Sequence, residues 1–330
     1  MLPLEHRLLA VNGIQLALHL AGPEDGPPVW LLHGFPECWL AWRHQIEPLA
    51  RAGYRVLVPD LRGYGASSAP ADPAAYDLLT LCADIRAAMD ALGQARVCVV
   101  GHDWGAPVAW HLALLEPQRV QAVVGMAVPF GGRPRQPATE AMRRHFADRF
   151  NYILYFQQVG LAEQELDADI PRTLRMMLHH CSAAVPLGHF LQERPAGSRL
   201  FDGLEDPGQP PVWCEPEAFA GYCKAFERHG FRGALNWYRN FERNWALTEP
   251  LQGQRVLQPA LFLIGDHDPV GLLEAHTLKQ MSEVVPALEA HRIEACGHWL
   301  QSEQPEAVNE RLLGFLGRHY RWGAGRRSTR

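Results

Sequence analysis

The sequence VVGHDWG at Val99–Gly105 is the feature from which the fold can be worked out. An apolar run that leads into a tight, glycine-flanked turn and then into a helix pushes the central side chain out above a sheet. Gly101 and Gly105 leave room for the crowded backbone, and the start of the following helix favours negative charge. The central residue is Asp103, so the turn presents a carboxylate where most turns of this shape present a hydroxyl. An aspartate that only caps the helix is the alternative interpretation.

Apolar runs and helical patterns alternate on both sides of this turn. The runs that end in glycine-marked turns are typical of buried strands, and they are PPVWLLHGF (27–35), YRVLVPDLRGYG (54–65) and ARVCVVGHDWG (95–105). Further strands are predicted at 120–130, 258–269 and 288–299, and helices at 76–93, 105–120 and 304–320. This alternation predicts an α/β fold with a mostly parallel sheet that carries helices on both faces.

The alternation stops between residues 131 and 245, where no strand-like run occurs. Helical, aromatic-rich segments flank a Pro/Gly-rich stretch around 194–216, whose path the sequence does not determine. We interpret the segment as a helical insertion within one α/β domain. The predicted organisation is a core at 1–130 and 246–320, a helical cap at 131–245 and a disordered tail at 321–330.

The composition is that of an ordinary globular protein. The 330 residues are 47% hydrophobic and 20% charged, with a net charge of −5, which argues against nucleic acid as the main partner. The seven cysteines include no C-x-x-C pair, so we expect reduced thiols. The N-terminus lacks the pattern of a signal peptide, and no apolar run approaches the ~20 residues that span a bilayer. We therefore expect a soluble, cytoplasmic protein.

The groups that would assist a nucleophile at Asp103 follow other predicted strands. Such a nucleophile needs a base, an acid that orients the base, and N–H donors for an oxyanion, all at the carboxyl ends of strands. His298 in CGHW follows the last strand, and GDHDP places Asp266 and Asp268 after the strand before it. The order of nucleophile, acid and histidine is that of hydrolases with a nucleophile elbow. The N–H groups of Phe35 and Trp104 are the predicted oxyanion hole.

Five motifs in this order, HGFPE, DLRGYGASS, GHDWG, GDHDP and CGHW, resemble those of epoxide hydrolases with the α/β-hydrolase fold. The resemblance extends from about Leu8 to Tyr320 and points to the soluble epoxide hydrolases, without their extra N-terminal domain. It implies the α/β-hydrolase fold with an inserted helical cap, an ether-bond hydrolase without a cofactor, and a small apolar epoxide and water as substrates. It also implies that Asp268 orients His298 and that Asp266 is a turn residue.

A carboxylate nucleophile indicates alkyl transfer rather than acyl transfer. A serine that attacked a saturated carbon would leave an ether, whereas Asp103 would leave an ester. Water activated by His298 can attack the carbonyl of that ester. Peptidase, esterase and lipase activities are therefore disfavoured, and epoxides and alkyl halides stay as the two substrate classes.

Tyrosines within the insertion favour the epoxide. Ring opening develops an alkoxide, and a tyrosine hydroxyl, with an ordinary pKa of about 10, can protonate it. Tyr152 and Tyr238 lie in segments similar to those in which two tyrosines of epoxide hydrolases reach over the nucleophile, and Tyr155 is the substitute if the register differs. The turn reads HDW, with Trp104 after the aspartate, whereas enzymes that act on fluoroacetate resemble HDR, with an arginine that holds the substrate carboxylate. Trp104 in that position favours an apolar substrate over an acidic one.

Three more residues receive supporting roles. Glu37, the last residue of HGFPE, is expected from related plant epoxide hydrolases to bond the hydrolytic water, and a surface glutamate is the alternative. His102 is expected to stabilise the turn at Asp103, and His33 the loop of the oxyanion hole. The Phe35–Pro36 bond is a candidate cis peptide.

No cofactor or metal is predicted. His179, His180 and Cys181 have no partners at metal-ligand spacing. Asp266, His267 and Asp268 could resemble a metal site, but the predicted triad role already explains Asp268. Two other functions stay open, namely a haloalkane dehalogenase with the same Asp–His–Asp triad and a non-catalytic receptor for a small ligand. The sequence does not specify the physiological substrate or the selectivity. It does not specify the oligomeric state either, and a homodimer is one of the alternatives.

Overall fold

The structure is a computed structural model that describes residues 4–320. Its strands are Glu5–Val11 (β1), Ile14–Ala21 (β2), Pro28–Leu32 (β3), Arg55–Pro59 (β4), Val97–His102 (β5), Val120–Met126 (β6), Ala260–Gly265 (β7) and Leu288–Ile293 (β8). They form one sheet in the order β1-β2-β4-β3-β5-β6-β7-β8. The strands from β3 to β8 pair in parallel, and β2 is antiparallel to both of its neighbours. The predicted mostly parallel sheet is confirmed.

The antiparallel edge of the sheet is a hairpin that the sequence analysis did not assign. β1 and β2 pair from Glu5↔Leu20 to Val11↔Ile14, and they are joined by Asn12 and Gly13 with φ of 45° and 77°. Asn-Gly between two alternating apolar runs is a strong sequence signal for a two-residue hairpin turn, because both residues accept positive φ. This signal was present in the sequence and would have predicted the hairpin.

Helices cover the sheet and fill the insertion. Those outside the insertion are Arg43–Arg51 (α1), Leu78–Ala91 (α2), Gly105–Leu115 (α3), Val270–Leu273 (α11), Ala275–Val284 (α12), Leu300–Glu303 (α13) and Pro305–His319 (α14). Those between β6 and β7 are Ala138–His145 (α4), Tyr152–Phe156 (α5), Leu161–Leu166 (α6), Ile170–His180 (α7), Pro216–Glu227 (α8), Arg232–Tyr238 (α9) and Phe241–Leu247 (α10). The helices predicted at 76–93, 105–120 and 304–320 correspond to α2, α3 and α14.

The segment 131–245 contains helices but no strand in the described structure, apart from one isolated bridge between Arg149 and Pro195. The irregular stretch after α7 is organised around Arg194, which is 8% exposed. Its guanidinium donates hydrogen bonds to the carbonyls of Phe190 and Leu200 and lies over the ring of Phe150. The limits of an independent cap stay a prediction, and the predicted disordered tail at 321–330 lies outside the described residues.

The insertion packs directly on the rest of the protein. The indole N–H of Trp237 in α9 donates to the carbonyl of Arg62, which lies just after β4, at 3.0 Å. The amide of Asn240 donates to the carbonyl of Pro73 at 2.7 Å. One apolar cluster joins Trp104 at the start of α3 to Phe156 and other residues of the insertion. The helical segment therefore covers the carboxyl ends of the central strands, where the candidate site residues lie.

Within residues 4–320, no helix combines the length and the apolar character that a membrane crossing requires.

Candidate active site

The turn between β5 and α3 holds Asp103 in a strained conformation. Its φ of 48° lies in the left-handed region, which residues other than glycine seldom adopt and which recurs at functional sites. A Cβ on Gly101 would lie 2.0 Å from the carbonyl oxygen of Gly105, and a Cβ on Gly105 would lie 2.1 Å from that of Leu32. A Cβ on Gly34 would lie 2.4 Å from the Asp103 carboxylate. Close approach of backbone and side chain thus requires a glycine at all three positions.

The structure brings together the three residues predicted to form a triad. His298 Nε2 lies 3.4 Å from Oδ2 of Asp103, and His298 Nδ1 lies 3.0 Å from Oδ1 of Asp268. The N–H of Val270 also donates to Oδ1 of Asp268 at 2.9 Å, which fixes the carboxylate. The three residues are 9%, 5% and 2% exposed, in the order Asp103, His298, Asp268. This is the arrangement of a nucleophile, a base and an acid that orients the base.

Asp266 lies on the other side of the same loop and does not contact His298. Its two carboxylate oxygens accept the N–H groups of Cys296 and Ala295, both at 3.0 Å. Its Oδ1 also pairs with Nδ1 of His267 at 2.8 Å. Asp266 therefore holds the turn before His298, and Asp268 is the acid of this loop that contacts the His298 imidazole.

The charges of the triad shift the pKa values of its members. Burial acts to raise the pKa of Asp103, but the hydrogen bond and the charge of His298 outweigh it, and the pKa lies below its ordinary value. Burial acts to lower the pKa of His298, but the two carboxylates of Asp268 and Asp103 hold it well above its ordinary value. The resting site thus favours an ionised Asp103 beside a protonated His298.

The loop after β3 lies over the Asp103 carboxylate. The N–H of Phe35 donates to Oδ1 of Asp103 at 2.7 Å, and the Phe35–Pro36 bond is cis. The buried ring of His33 holds this loop, since its Nε2 accepts the N–H of Leu61 at 3.0 Å and its Nδ1 lies 3.0 Å from the carbonyl oxygen of Gly34. Burial lowers the pKa of His33, so the ring is held neutral with both nitrogens occupied.

Two tyrosines of the insertion lie close to Asp103. Tyr152 and Tyr238 line the same cavities as Asp103, and their ring centroids are 6.2 Å apart. Burial, reinforced by the charge of Asp103, raises the pKa of both hydroxyls, so both stay protonated. Tyr155 is turned away from this cavity, and its hydroxyl donates to Oε2 of Glu165 at 2.7 Å.

The cavity has two parts of unequal volume, and Asp103 lines both of them. The larger part, about 450 Å³, extends between the nucleophile and α4 and is lined by apolar side chains such as Met142 and Phe241. The smaller part, about 40 Å³, lies on the side of His298 and is lined by Met177 and Phe190. This is a mostly apolar site with a few convergent polar groups, as expected for a small-molecule enzyme.

Comparison with known proteins agrees with this arrangement. The sequence profile of the alpha/beta hydrolase fold matches residues 27–305. Epoxide hydrolase A of Mycobacterium tuberculosis is 43% identical over 316 residues, which cover 94% of this chain and 96% of that protein. The chain belongs to the epoxide hydrolases of the α/β-hydrolase fold. The predictions of fold and of enzyme class are thereby confirmed.

Further relatives of this epoxide hydrolase cover nearly its whole length. Epoxide hydrolase 3 of Siraitia grosvenorii is 37% identical, and the alignment covers 96% of this chain and 99% of that protein. The crystal structure of epoxide hydrolase A from Mycobacterium thermoresistibile superposes with a TM-score of 0.89 at 42% identity, covering 96% and 98% of the two chains. The likeness therefore includes the insertion as well as the sheet.

Glu37 and His102 form a buried network beneath the triad of this epoxide hydrolase. Glu37 is 1% exposed, so it is not a surface glutamate. Its Oε2 lies 2.8 Å from His102 Nδ1, and His102 Nε2 lies 2.8 Å from the backbone oxygen of His298. Gln301 completes the network, since its amide donates to Oε1 of Glu37 at 3.0 Å. The network joins the loop after β3 to the loop that carries His298.

Two of the polar residues around the triad escaped the sequence analysis. Gln301 and Glu303 belong to the short helix α13, just after His298. Neither belongs to the motifs quoted above. Glu303 accepts the N–H groups of Gly297 and Trp299 on either side of His298, and Gln301 donates to Glu37. Two polar residues within four positions after CGHW were the only sequence signal, and it is weak on its own.

Within residues 4–320, no group of three or more His, Cys, Asp or Glu side chains is arranged to hold a metal ion. His180, in the HHC run that the sequence analysis considered, turns its Nε2 to the carbonyl of Glu205 at 2.8 Å.

Proposed function

We propose that this epoxide hydrolase converts apolar epoxides to vicinal diols through a covalent ester on Asp103. The observation that carries the proposal is the contact of one carboxylate with both His298 and the Phe35 N–H, in a cavity that Tyr152 and Tyr238 also line. The carboxylate is ionised and held at the point where the two parts of the cavity meet. A bound epoxide would lie between the carboxylate and the two tyrosine hydroxyls.

The first step forms the ester. One oxygen of Asp103 attacks a ring carbon, the bond between that carbon and the ring oxygen breaks, and the oxygen takes a proton from Tyr152 or Tyr238. The hydroxyls are suited to this role because burial keeps them protonated until the alkoxide develops. The products of the step are a hydroxyalkyl ester and a tyrosinate.

The second step hydrolyses the ester. The protonated His298 of the resting site first gives its proton to the tyrosinate. The neutral imidazole, oriented by Asp268, then takes a proton from water, and the hydroxide attacks the carbonyl carbon of the ester. The N–H groups of Phe35 and Trp104 stabilise the oxyanion of the tetrahedral intermediate. The intermediate then collapses, the proton of its hydroxyl passing to the leaving diol oxygen, to give the diol and the free Asp103 carboxylate. His298 keeps the proton that it took from water, which restores the resting site. Epoxide and water are consumed, and the diol is the sole product.

The supporting residues act through these groups. Through Gln301 and His102, Glu37 connects the loop of Phe35 to that of His298. We assign Glu37 and His102 the role of keeping both loops in place while water is activated. His33 does the same for the Phe35 loop and is not a second base, because both of its ring nitrogens are occupied.

A single-turnover experiment in ¹⁸O-water tests the ester. With enzyme in excess over an aryl epoxide, the diol should carry no ¹⁸O, and the peptide that contains Asp103 should gain one ¹⁸O atom, read by mass spectrometry. Direct attack of water on the epoxide would place the label in the diol and would exclude the ester. Asp103→Ala should form no diol.

The same preparation, assayed with an aliphatic epoxide and with chlorinated and brominated alkanes, tests the substrate class. We expect diol from the epoxides and no halide from the alkanes. Halide release at a comparable rate would instead assign the triad to dehalogenation.

A further inference from the structure

The loop that carries His298 is held by one half-buried carboxylate that does not belong to the triad. Oε2 of Glu303 accepts the N–H of Gly297 at 3.0 Å, and its Oε1 accepts the N–H of Trp299 at 3.0 Å. These two N–H groups belong to the residues directly before and after His298. Hydrogen bonds from both neighbours fix the direction in which the imidazole leaves the backbone.

The same carboxylate reaches the insertion. Oε2 of Glu303 also accepts the N–H of Ala183, in the turn after α7, at 2.9 Å. The His298 N–H donates to the carbonyl of Cys181 at 2.8 Å, and the indole N–H of Trp299 donates to that of Leu178 at 3.0 Å. The loop that carries His298 therefore packs against the insertion through three hydrogen bonds: one made by Glu303, one by the His298 N–H and one by the Trp299 indole.

This packing leaves little freedom for the loop. A Cβ on Gly297 would lie 2.5 Å from the backbone of Ser182 in the insertion. Burial raises the pKa of Glu303, although its three backbone hydrogen bonds act in the opposite direction. This half-buried carboxylate accepts three backbone N–H groups, so its removal would leave those three donors unpaired.

We propose that Glu303 is a positioning residue for catalysis, which sets the orientation of His298 and couples the catalytic loop to the insertion. Glu303 touches no reacting atom, so its effect passes through the backbone of Gly297 and Trp299. The proposal rests on the proposed function where it concerns ester hydrolysis, and on the structure alone where it concerns His298. A misplacement of about 1 Å in a catalytic group can cost up to a hundredfold in rate.

The test compares three substitutions of Glu303 with a matched control. Glu303→Gln keeps the shape but loses the charge and one acceptor, Glu303→Ala removes the side chain, and Glu303→Asp retains a carboxylate. Glu306→Gln, on the exposed first turn of α14, removes a nearby charge that makes no contact with the loop. Thermal unfolding of each variant identifies those that fold.

The first readout does not depend on any reaction. The imidazole of His298 is titrated by NMR in ¹⁵N-histidine-labelled protein and assigned with His298→Gln. The groups that face it are Asp103, Asp268 and His102, and Glu303 acts from behind its backbone. In Glu303→Gln and Glu303→Ala we expect a lower pKa of His298, because the carboxylate contacts loosen and a negative charge is lost. Glu306→Gln should stay close to the wild type. Glu303→Asp keeps the charge but holds the carboxylate one methylene further away, so its His298 pKa should fall between those of the wild type and Glu303→Ala.

The second readout separates the two steps in single turnovers. In Glu303→Gln, the ester should form at a rate within about threefold of the wild type and be hydrolysed about tenfold or more slowly, since only the second step uses His298 as a base. An unchanged His298 titration in folded Glu303→Gln, or an equal slowing of both steps, would overturn the proposal. If the wild type forms no ester at all, the proposed function fails, and the titration still decides the role of Glu303.

Discussion

In the proposed mechanism, Asp103 loses its charge when the ester forms, and this change should act on His298. In the resting site two carboxylates hold the pKa of His298 well above its ordinary value. Formation of the ester neutralises Asp103 and leaves Asp268 as the carboxylate in contact with the imidazole. The pKa of His298 therefore falls once the ester has formed, and the histidine becomes a base in the step that needs one.

We therefore expect His298 to titrate at one pH in the free enzyme and at a lower pH in the ester intermediate. NMR reports the pKa of His298 in the free enzyme, where the protonated form is favoured. The pH dependence of ester hydrolysis reports its pKa in the ester intermediate, and this second pKa should be the lower of the two. Asp103→Asn, a neutral mimic of the ester, should shift the NMR titration of His298 to lower pH. Glu306→Gln, which removes an exposed carboxylate that does not contact His298, is the control. Coincident titrations in the free enzyme and in ester hydrolysis would contradict the argument.

Motif order predicted the triad, but not the residues that hold it in place. The carboxyl ends of parallel strands meet at one edge of a sheet, so residues after β5, β7 and β8 had to converge, and Asp103, Asp268 and His298 do. The resemblance then chose between Asp266 and Asp268. Glu303 was missed because its partners are backbone N–H groups, which one sequence does not distinguish from any others.

At the scale of the elements, two helices of the insertion bring the tyrosines to the cavity that Asp103 lines. Tyr152 is the first residue of α5, and Tyr238 is the last residue of α9. The side-chain amide of Gln157 joins the two helices by donating to the carbonyls of Ile153 and Tyr238, both at 2.9 Å. The two hydroxyls are therefore presented by one connected unit.

The tyrosines are expected to act in ring opening alone. Tyr152→Phe or Tyr238→Phe should slow ester formation about tenfold or more, and the double substitution by about 10²–10⁴, the range of a positioned proton donor. Hydrolysis of the ester, once formed, should change little. The matched control is Tyr155→Phe in the same helix, whose hydroxyl bonds Glu165. Rapid-quench measurement of the ester gives both rates, and a slow Tyr155→Phe with an unaffected Tyr152→Phe would exchange the two assignments.

The insertion marks the limit of what helical patterns predict. Aromatic-rich helical spacing was sufficient to predict helices, but Tyr152 and Tyr238 were proposed from the resemblance of their segments to those of epoxide hydrolases. The orientation of α5 and α9 over the sheet depends on long-range contacts such as those of Trp237 with Arg62 and of Asn240 with Pro73. The periodicity of either helix contains no information about these partners.

At the scale of the whole molecule, the way the insertion lies on the sheet sets the shape of the substrate site. The space on the side of α4 is about 450 Å³, and the space on the side of His298 is about 40 Å³. An epoxide bound at Asp103 must direct one substituent into each. The shape favours one bulky apolar substituent and a second ring carbon that is unsubstituted or carries a small group.

Substrate preference should follow this asymmetry. The wild type should hydrolyse styrene oxide with a kcat/KM at least about tenfold above that for trans-stilbene oxide, whose second ring has no room beside His298. Met177→Ala enlarges the smaller space and should narrow or reverse the ratio, while Met142→Ala enlarges the larger space and should leave it unchanged. Both substitutions remove a methionine, so a general loss of packing would lower both activities together. A wild type that prefers the stilbene oxide, or an equal response to the two substitutions, would show that the smaller space does not limit the substrate.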